Sequence, residues 1–296
     1  MNRAFAVPPS GNFRLAVFLL TSLILFQTSC LAESRVESRA VPSKILGRAV
    51  HYTVLLPPSY DTNKTRRYPV LYYLHGLGDN DQTLVNSGGW DLVEELQRSG
   101  AIGDFLIVTP DGGRSFYINS KDGRVRYDDF FIREFIPAVE QRYRTVGTRA
   151  GRGISGTSMG GYGALRFAFR YPELFAAVSA HMPAIAEELP GGIVSGLGSG
   201  LNAFGNSFDP RYWKQNSPFT LVRQQGKLTG LQIYFDCGLQ DDFGFNVGSE
   251  ALHRLLETQG IPHEFHLYPG RHSGQYVAAH FPASLRFQSR ALGAKK

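Results

Sequence analysis

Ser158 stands at the centre of Gly156-Thr157-Ser158-Met159-Gly160, and the next residues, Gly161-Tyr162-Gly163-Ala164, add two more glycines. Glycines two before and two after a serine suit a sharp strand-to-helix turn, because side chains there would collide with the converging strand and helix. Gly153-Ile154-Ser155 reads as the end of a buried strand. Ala164-Leu165-Arg166-Phe167-Ala168-Phe169 reads as a helix that stops near Tyr171-Pro172, where proline ends the run. The turn sets the hydroxyl at a helix N-terminus, where free N–H groups favour developing negative charge. The chemistry this suits is nucleophilic attack. A hydroxyl needs a base for that, so a histidine and a carboxylate must follow.

The strand pattern supplies them. After the strand-like run 231–235 comes Asp236-Cys237-Gly238-Leu239-Gln240-Asp241-Asp242-Phe243. After the late run 264–268 comes Pro269-Gly270-Arg271-His272-Ser273-Gly274. The order serine, acid, histidine is that of a serine hydrolase built on a parallel sheet, and function gathers at the carboxyl ends of such strands. Of eight histidines, only His272 occupies a short glycine-flanked loop directly after the final strand. His181 is its rival if the segment that follows it folds inward. Asp241 is the preferred acid and Asp242 its competitor, while Asp236 suits binding of backbone groups in its turn. The acid would accept the Nδ1–H of His272 and fix its tautomer. Two backbone N–H donors are needed for an oxyanion: Met159, next to the nucleophile, and Leu77 in His75-Gly76-Leu77-Gly78. His75 itself suits bracing of that loop.

Positioning these residues requires an alternating series of elements. Residues 50–56 alternate and stop at Pro57-Pro58, as an early antiparallel strand would. Residues 70–74 and 105–108 are continuous apolar runs, expected of strands covered on both faces. Further strands are read at 176–180, 231–235 and 264–268, with helices at 90–98, 129–143, 159–170, 250–259 and 275–290. The alternation predicts an α/β fold, a mostly parallel central sheet flanked by helices. One interval departs from it: residues 183–219, rich in glycine and carrying Phe204, Phe208, Tyr212 and Trp213. A long aromatic insertion suits either a cover over a site or a surface excursion packed on the body.

The first 32 residues read as a secretory signal peptide. Arg3 and Arg14 precede an apolar run at 15–26, followed by small residues through Ala32. The run falls short of the roughly 20 apolar residues of a membrane span, so no stable span is expected after cleavage. Cys30 offers lipid attachment as an alternative, although Gln27 is a poor fit to the leucine usual three residues earlier. The expected organisation is a signal peptide over 1–32, a lead-in over 33–48, and one domain over 49–296 with a cap-like insertion near 183–219. Roughly 260 residues then remain, ample for one core. Removal of two arginines lowers the net charge from +6 to +4. The positive charge is scattered, which argues against a nucleic-acid partner. Cys237 would be the sole cysteine left, so no internal disulfide forms. No ligand spacing implies a metal, and no organic cofactor is expected.

Together these residues resemble the esterase D-like branch of the α/β-hydrolase superfamily, which includes S-formylglutathione hydrolases, feruloyl and acetyl-xylan esterases and mycolyltransferases of the antigen 85 type. The resemblance runs from about Val50 to Phe287. It is carried by Leu55-Leu56-Pro57-Pro58-Ser59-Tyr60, by Tyr68-Pro69-Val70-Leu71-Tyr72-Tyr73-Leu74-His75-Gly76 and by Phe130-Phe131-Ile132-Arg133-Glu134-Phe135-Ile136-Pro137. The nucleophile turn, Tyr212-Trp213-Lys214-Gln215-Asn216-Ser217-Pro218 and Gly238-Leu239-Gln240-Asp241 complete it. It implies an α/β-hydrolase fold and Ser158, Asp241 and His272 as nucleophile, acid and base. Where the formylglutathione enzymes usually carry a Ser-Gly-Leu-Thr-Cys-like loop, this chain has His75-Gly76-Leu77-Gly78-Asp79, and those enzymes are cytosolic. Both differences favour a secreted esterase acting on acyl esters of carbohydrates or small alcohols. An acyltransferase with the same triad, a formylglutathione-type thioesterase and a non-catalytic binding protein are the alternatives.

Overall fold

Short apolar runs separated by helical stretches leave few ways to bury every apolar face, and the chain adopts the commonest of them. The computed structural model describes residues 1, 4, 6, 35–226 and 228–295. Apart from residues 1, 4 and 6, the segment expected to be a signal peptide, Cys30 included, therefore lies outside the described residues. From Arg35 onward, eight strands form one sheet in the order β1-β2-β4-β3-β5-β6-β7-β8. They are β1 (Arg35–Ser43), β2 (Arg48–Leu56), β3 (Val70–Leu74), β4 (Leu106–Pro110), β5 (Arg152–Thr157), β6 (Ala177–His181), β7 (Gln232–Gly238) and β8 (Glu264–Tyr268). The first two are antiparallel to their neighbours, and β4 to β8 run parallel. All residues of β3 and β4 are buried, as continuous apolar runs require when helices cover both faces.

The sheet starts earlier than the pattern of residues predicts. β1 carries Arg35, Glu37 and Arg39 and contains Pro42, features that hide a strand from a search for apolar alternation. It pairs with β2 from Arg35↔Leu56 to Ser43↔Arg48. Charge and proline on an outer strand protect a sheet edge from pairing with other chains.

The helices Gly89–Ser99, Met159–Arg170 and Gly274–Ala291 coincide closely with the predicted ones, whereas Phe245–Thr258 begins five residues before the helix predicted over 250–259. The expected helix over 129–143 is interrupted: a π-helical stretch at Phe131–Phe135 separates Tyr127–Phe130 from Ile136–Arg142. Phe131 and Phe135 are fully buried there, Phe131 stacking on Phe167 with ring centroids 4.5 Å apart. No described helix is long and apolar enough to cross a membrane.

The aromatics of segment 183–219 pack onto the body. Trp213 stacks on Tyr162 at 5.3 Å, and Phe204 meets Phe116 at 5.1 Å. The Tyr162 hydroxyl donates to the Asn216 carbonyl (2.8 Å), and the buried Arg166 guanidinium donates to Asn216 Oδ1 (2.9 Å) while pairing with Asp128 (2.7 Å). Satisfied charges and stacked rings of this kind fix the segment against the outer side of the helix Met159–Arg170.

Candidate active site

The turn at Ser158 has the geometry its glycines allow. Ser158 adopts φ 55° and ψ −116°, a left-handed conformation costly for a residue with a side chain (about 1–3 kcal/mol). A Cβ on Gly156 would sit 2.3 Å from the Gly160 carbonyl oxygen, and one on Gly160 would sit 1.9 Å from that of Leu74. No side chain fits at either position. Backbone hydrogen bonds offset the strain: Ser158 N–H donates to the His181 carbonyl (2.9 Å), and the Ser158 carbonyl accepts from Ala184 N–H (3.0 Å) and Tyr162 N–H (2.9 Å).

The loops after β7 and β8 converge on this hydroxyl. His272 Nε2 lies 2.9 Å from Ser158 Oγ, and its Nδ1 lies 2.6 Å from Asp241 Oδ2. With Nδ1 donating to the carboxylate, Nε2 presents its lone pair to the serine hydroxyl. The imidazole is held edge-on by Phe243 and Phe245, with centroids at 4.9 and 5.7 Å. The Asp241 side chain is fully buried. Its Oδ1 accepts N–H bonds from Phe243 (3.0 Å) and Phe245 (3.2 Å), which leaves Oδ2 for the histidine. Burial pushes the neighbouring Cys237 thiol well above its ordinary range, so it remains a neutral packing group.

Asp242 occupies a different place. Its carboxylate pairs with Arg271 and accepts the backbone N–H of His272 (3.1 Å), bracing the histidine loop from outside. The Arg271 hydrogen bond holds its pKa below the usual carboxylate value. That brace is present at neutral pH and is lost only as the pH falls through the depressed value.

Leu77 and Met159 N–H groups have no hydrogen-bond acceptor among the described residues. Gly76 brings the first of them close: a Cβ there would lie 3.8 Å from Ser158 Cβ. His75 holds this loop from beneath. Its Nδ1 donates to the Gly76 carbonyl (2.8 Å), and its Nε2 accepts Gly112 N–H (2.8 Å).

His181 does not face the serine. Its ring is buried between Asp236 (2.9 Å) and Ser284 Oγ (2.7 Å). Asp236 likewise binds side chains where the sequence suggested turn backbone: besides His181 it accepts the hydroxyls of Tyr234 (2.9 Å) and Tyr276 (3.1 Å). The signal missed was alternation, since Tyr234 and Asp236 project from the same face of β7.

Beside Ser158 and His272 opens a cleft of about 730 Å³. Beyond the loops already described, part of its wall comes from side chains to which the sequence assigned no role in the site. Leu84, Leu92, Val277, Phe281 and Tyr73 are among the residues that line the cleft. The Tyr73 hydroxyl bonds Thr157 Oγ1 at 2.7 Å, and burial pushes its pKa up to about 12, so it stays protonated. No residue from 184–219 lines the cleft.

Comparison with known proteins decides the family. The family model described as "Putative esterase" matches residues 43–288. The chain belongs to the esterase family. Esterase Rv1288 of Mycobacterium tuberculosis (strain ATCC 25618 / H37Rv) is 31% identical over 241 residues, covering 74% of this chain and 51% of that protein. The chain thus spans about half the length of the curated relatives it matches. Among solved structures, a ferulic acid esterase is similar with TM-score 0.76 and 28% identity, covering 88% of this chain and 99% of that one. An S-formylglutathione hydrolase from Agrobacterium tumefaciens shares the fold, with TM-score 0.70, 19% identity and coverage of 91% and 99%. The sheet order and these neighbours establish the α/β-hydrolase fold that the motifs implied. For an esterase-family chain, a serine elbow opening on a cleft is the expected layout.

Proposed function

We propose that the protein is an exported serine carboxylic-ester hydrolase in which Ser158, His272 and Asp241 carry the reaction through an acyl-enzyme. The observation that supports this most is the hydrogen-bonded series Asp241–His272–Ser158 beside two free N–H groups. Ser158 Oγ attacks the ester carbonyl as its proton passes to His272 Nε2, and Asp241 stabilises the resulting imidazolium. The oxyanion lies against the N–H groups of Leu77 and Met159, donors of a type worth about 10²–10³ in rate each. Collapse expels the alcohol, which takes the proton from Nε2. Water then attacks the acyl-serine by the same route, releasing the acid and restoring Ser158. Export is supported by the basic, apolar and small-residue layout of residues 1–32.

The cleft favours uncharged esters of carbohydrates or small alcohols. No Lys or Arg lines it, and the exposed Asp79, which does, has no ion-pair or hydrogen-bond partner for its side chain among the described residues. A Cβ on Gly76 would lie 3.0 Å from Asp79 Oδ2, so this charge sits against the oxyanion loop. An anionic group entering there meets like-charge repulsion of about 1 kcal/mol after solvent screening, roughly fivefold in kcat/KM. Mono-4-nitrophenyl succinate should therefore be cleaved about fivefold less efficiently than 4-nitrophenyl butyrate, and Asp79→Asn should close most of that gap. An equal ratio in both proteins would remove Asp79 from the account.

A panel of esters running from acetyl through long-chain acyl to feruloyl tests the function itself, with an added sugar alcohol to intercept any acyl transfer. The similarity to a ferulic acid esterase places the aromatic acyl group in that panel. Turnover of neutral members to free acid is expected. Failure to hydrolyse any member would refute the proposal, and dominant formation of the sugar ester would reassign the protein as an acyltransferase.

A further inference from the structure

A second set of polar side chains lies beneath the site and touches neither the cleft nor the proposed reacting atoms. Asp236, wholly buried within β7, accepts three donors. These are His181 Nδ1 (2.9 Å to Oδ2), the Tyr234 hydroxyl (2.9 Å) and the Tyr276 hydroxyl (3.1 Å). Burial, with the Asp236 charge adding to it, pushes both phenols well above their ordinary range, so both remain donors. Three donors satisfy most of the roughly four acceptor sites of this buried carboxylate. Where each donor leads separates them.

His181 leads to the nucleophile. Its carbonyl receives the N–H of Ser158, and the next residue, Met182, is held at φ 43° with its N–H on the Asp236 carbonyl (2.8 Å). The far nitrogen of the ring meets Ser284 Oγ, which also contacts the Phe281 carbonyl (3.1 Å) within the helix Gly274–Ala291. Tyr276 leads to the base. It lies in the first turn of that helix, four residues after His272, and its N–H donates to Ser273 Oγ (3.2 Å). Its ring closes against Gly270: a Cβ at Gly270 would lie 2.7 Å from Tyr276 Cδ2. The Tyr234 hydroxyl bonds only Asp236, two residues on along the same strand, and its ring packs on His266 and Phe287, contacts that Tyr234→Phe keeps.

We infer that Asp236 is a positioning residue, tying the backbone that holds Ser158, through His181, to the start of the helix that follows His272, through Tyr276, and so fixing the 2.9 Å contact between hydroxyl and imidazole. This rests on the reading of Ser158 and His272 as nucleophile and base. The two rims of the site come from β5–β6 and from the loop after β8, which share no hydrogen-bonded strand pair. A covalent reaction needs its atoms placed within a fraction of an ångström, and a displacement of about 1 Å costs on the order of 100-fold.

The two tyrosines give the test. Tyr276→Phe and Tyr234→Phe each remove one hydroxyl from the same buried carboxylate and keep the ring, but only the first cuts the link to the histidine loop. Both variants are assayed with 4-nitrophenyl acetate, with active sites counted by fluorophosphonate labelling and thermal midpoints recorded. Tyr276→Phe is expected to lower kcat per labelled site and the labelling rate together, by about tenfold, with KM within about twofold. Tyr234→Phe should keep kcat within about twofold at a similar loss of midpoint. Equal kcat losses in the two, or an unchanged kcat in Tyr276→Phe, overturn the inference. Should Tyr276→Phe fail to fold, Ser284→Ala serves in its place: it frees the His181 ring from the same helix, with about a threefold fall in kcat at constant KM expected and an unchanged kcat contradicting the link. Ser158→Ala run alongside separates the two claims. Activity retained there sinks the catalytic assignment, whereas an inactive Ser158→Ala with a fully active Tyr276→Phe sinks the positioning role alone.

Discussion

Ser158→Ala should fold normally and lose on the order of 10⁴–10⁶ in kcat toward 4-nitrophenyl acetate, the scale seen when a hydrolase nucleophile is deleted while its oxyanion site and binding remain. The fold should survive because the turn is held by main-chain groups. The hydrogen bonds of Ser158 N–H and its carbonyl involve no side-chain atom, and alanine meets the same φ 55° constraint. Residual turnover is expected from the free N–H groups alone. Kinetics with active-site counting and a thermal melt check both halves. A folded variant with wild-type kcat would remove the serine from the reaction.

Asp241→Asn should cost about 10⁴ in kcat, and the surrounding hydrogen bonds give the reason. Oδ1 already receives two N–H donors, from Phe243 and Phe245, so an asparagine must keep its carbonyl oxygen there. Its amide then points an N–H at His272 Nδ1, where the carboxylate now accepts at 2.6 Å. Nδ1 must become the acceptor, Nε2 carries the hydrogen, and the serine faces a donor in place of a base. Asp242→Asn is the contrast. An amide oxygen can still accept the His272 N–H, and only the exposed Arg271 pair weakens. Its loss should stay below about tenfold. Comparable losses in the two variants would mean that Asp241 does not orient the imidazole.

Most of the sheet was legible because its central strands are buried on both faces and therefore read as unbroken apolar runs, as in Val70-Leu71-Tyr72-Tyr73-Leu74. The turn at Ser158 was legible because steric crowding leaves glycine as the only residue that fits at 156 and 160. Choosing Asp241 over Asp242 was only partly legible: adjacent side chains differ by direction, and direction follows from the turn that Phe243 and Phe245 close over Oδ1. β1 was hidden by its own protective charges. The segment 183–219 had two readings, a cover over the site or an excursion packed on the body, since aromatics suit both in a sequence; the stacking of Trp213 on Tyr162 and the absence of residues 184–219 from the cleft favour the second. Nothing local marked residues 83–92 as a cleft wall, because Leu84 and Leu92 meet the site only after the sheet has closed. The Asp236 hub escaped in part for the same reason, since Tyr276 and His181 lie 40 and 55 residues from it along the chain.

Labelling with a biotinylated fluorophosphonate, followed by digestion and peptide mass spectrometry, is the most direct measurement. A single adduct on the peptide carrying residue 158, formed in step with loss of ester hydrolysis and prevented in His272→Ala, is the result expected of a hydroxyl made nucleophilic by its imidazole neighbour. An adduct on another residue, or undiminished hydrolysis by protein fully modified at Ser158, would contradict it.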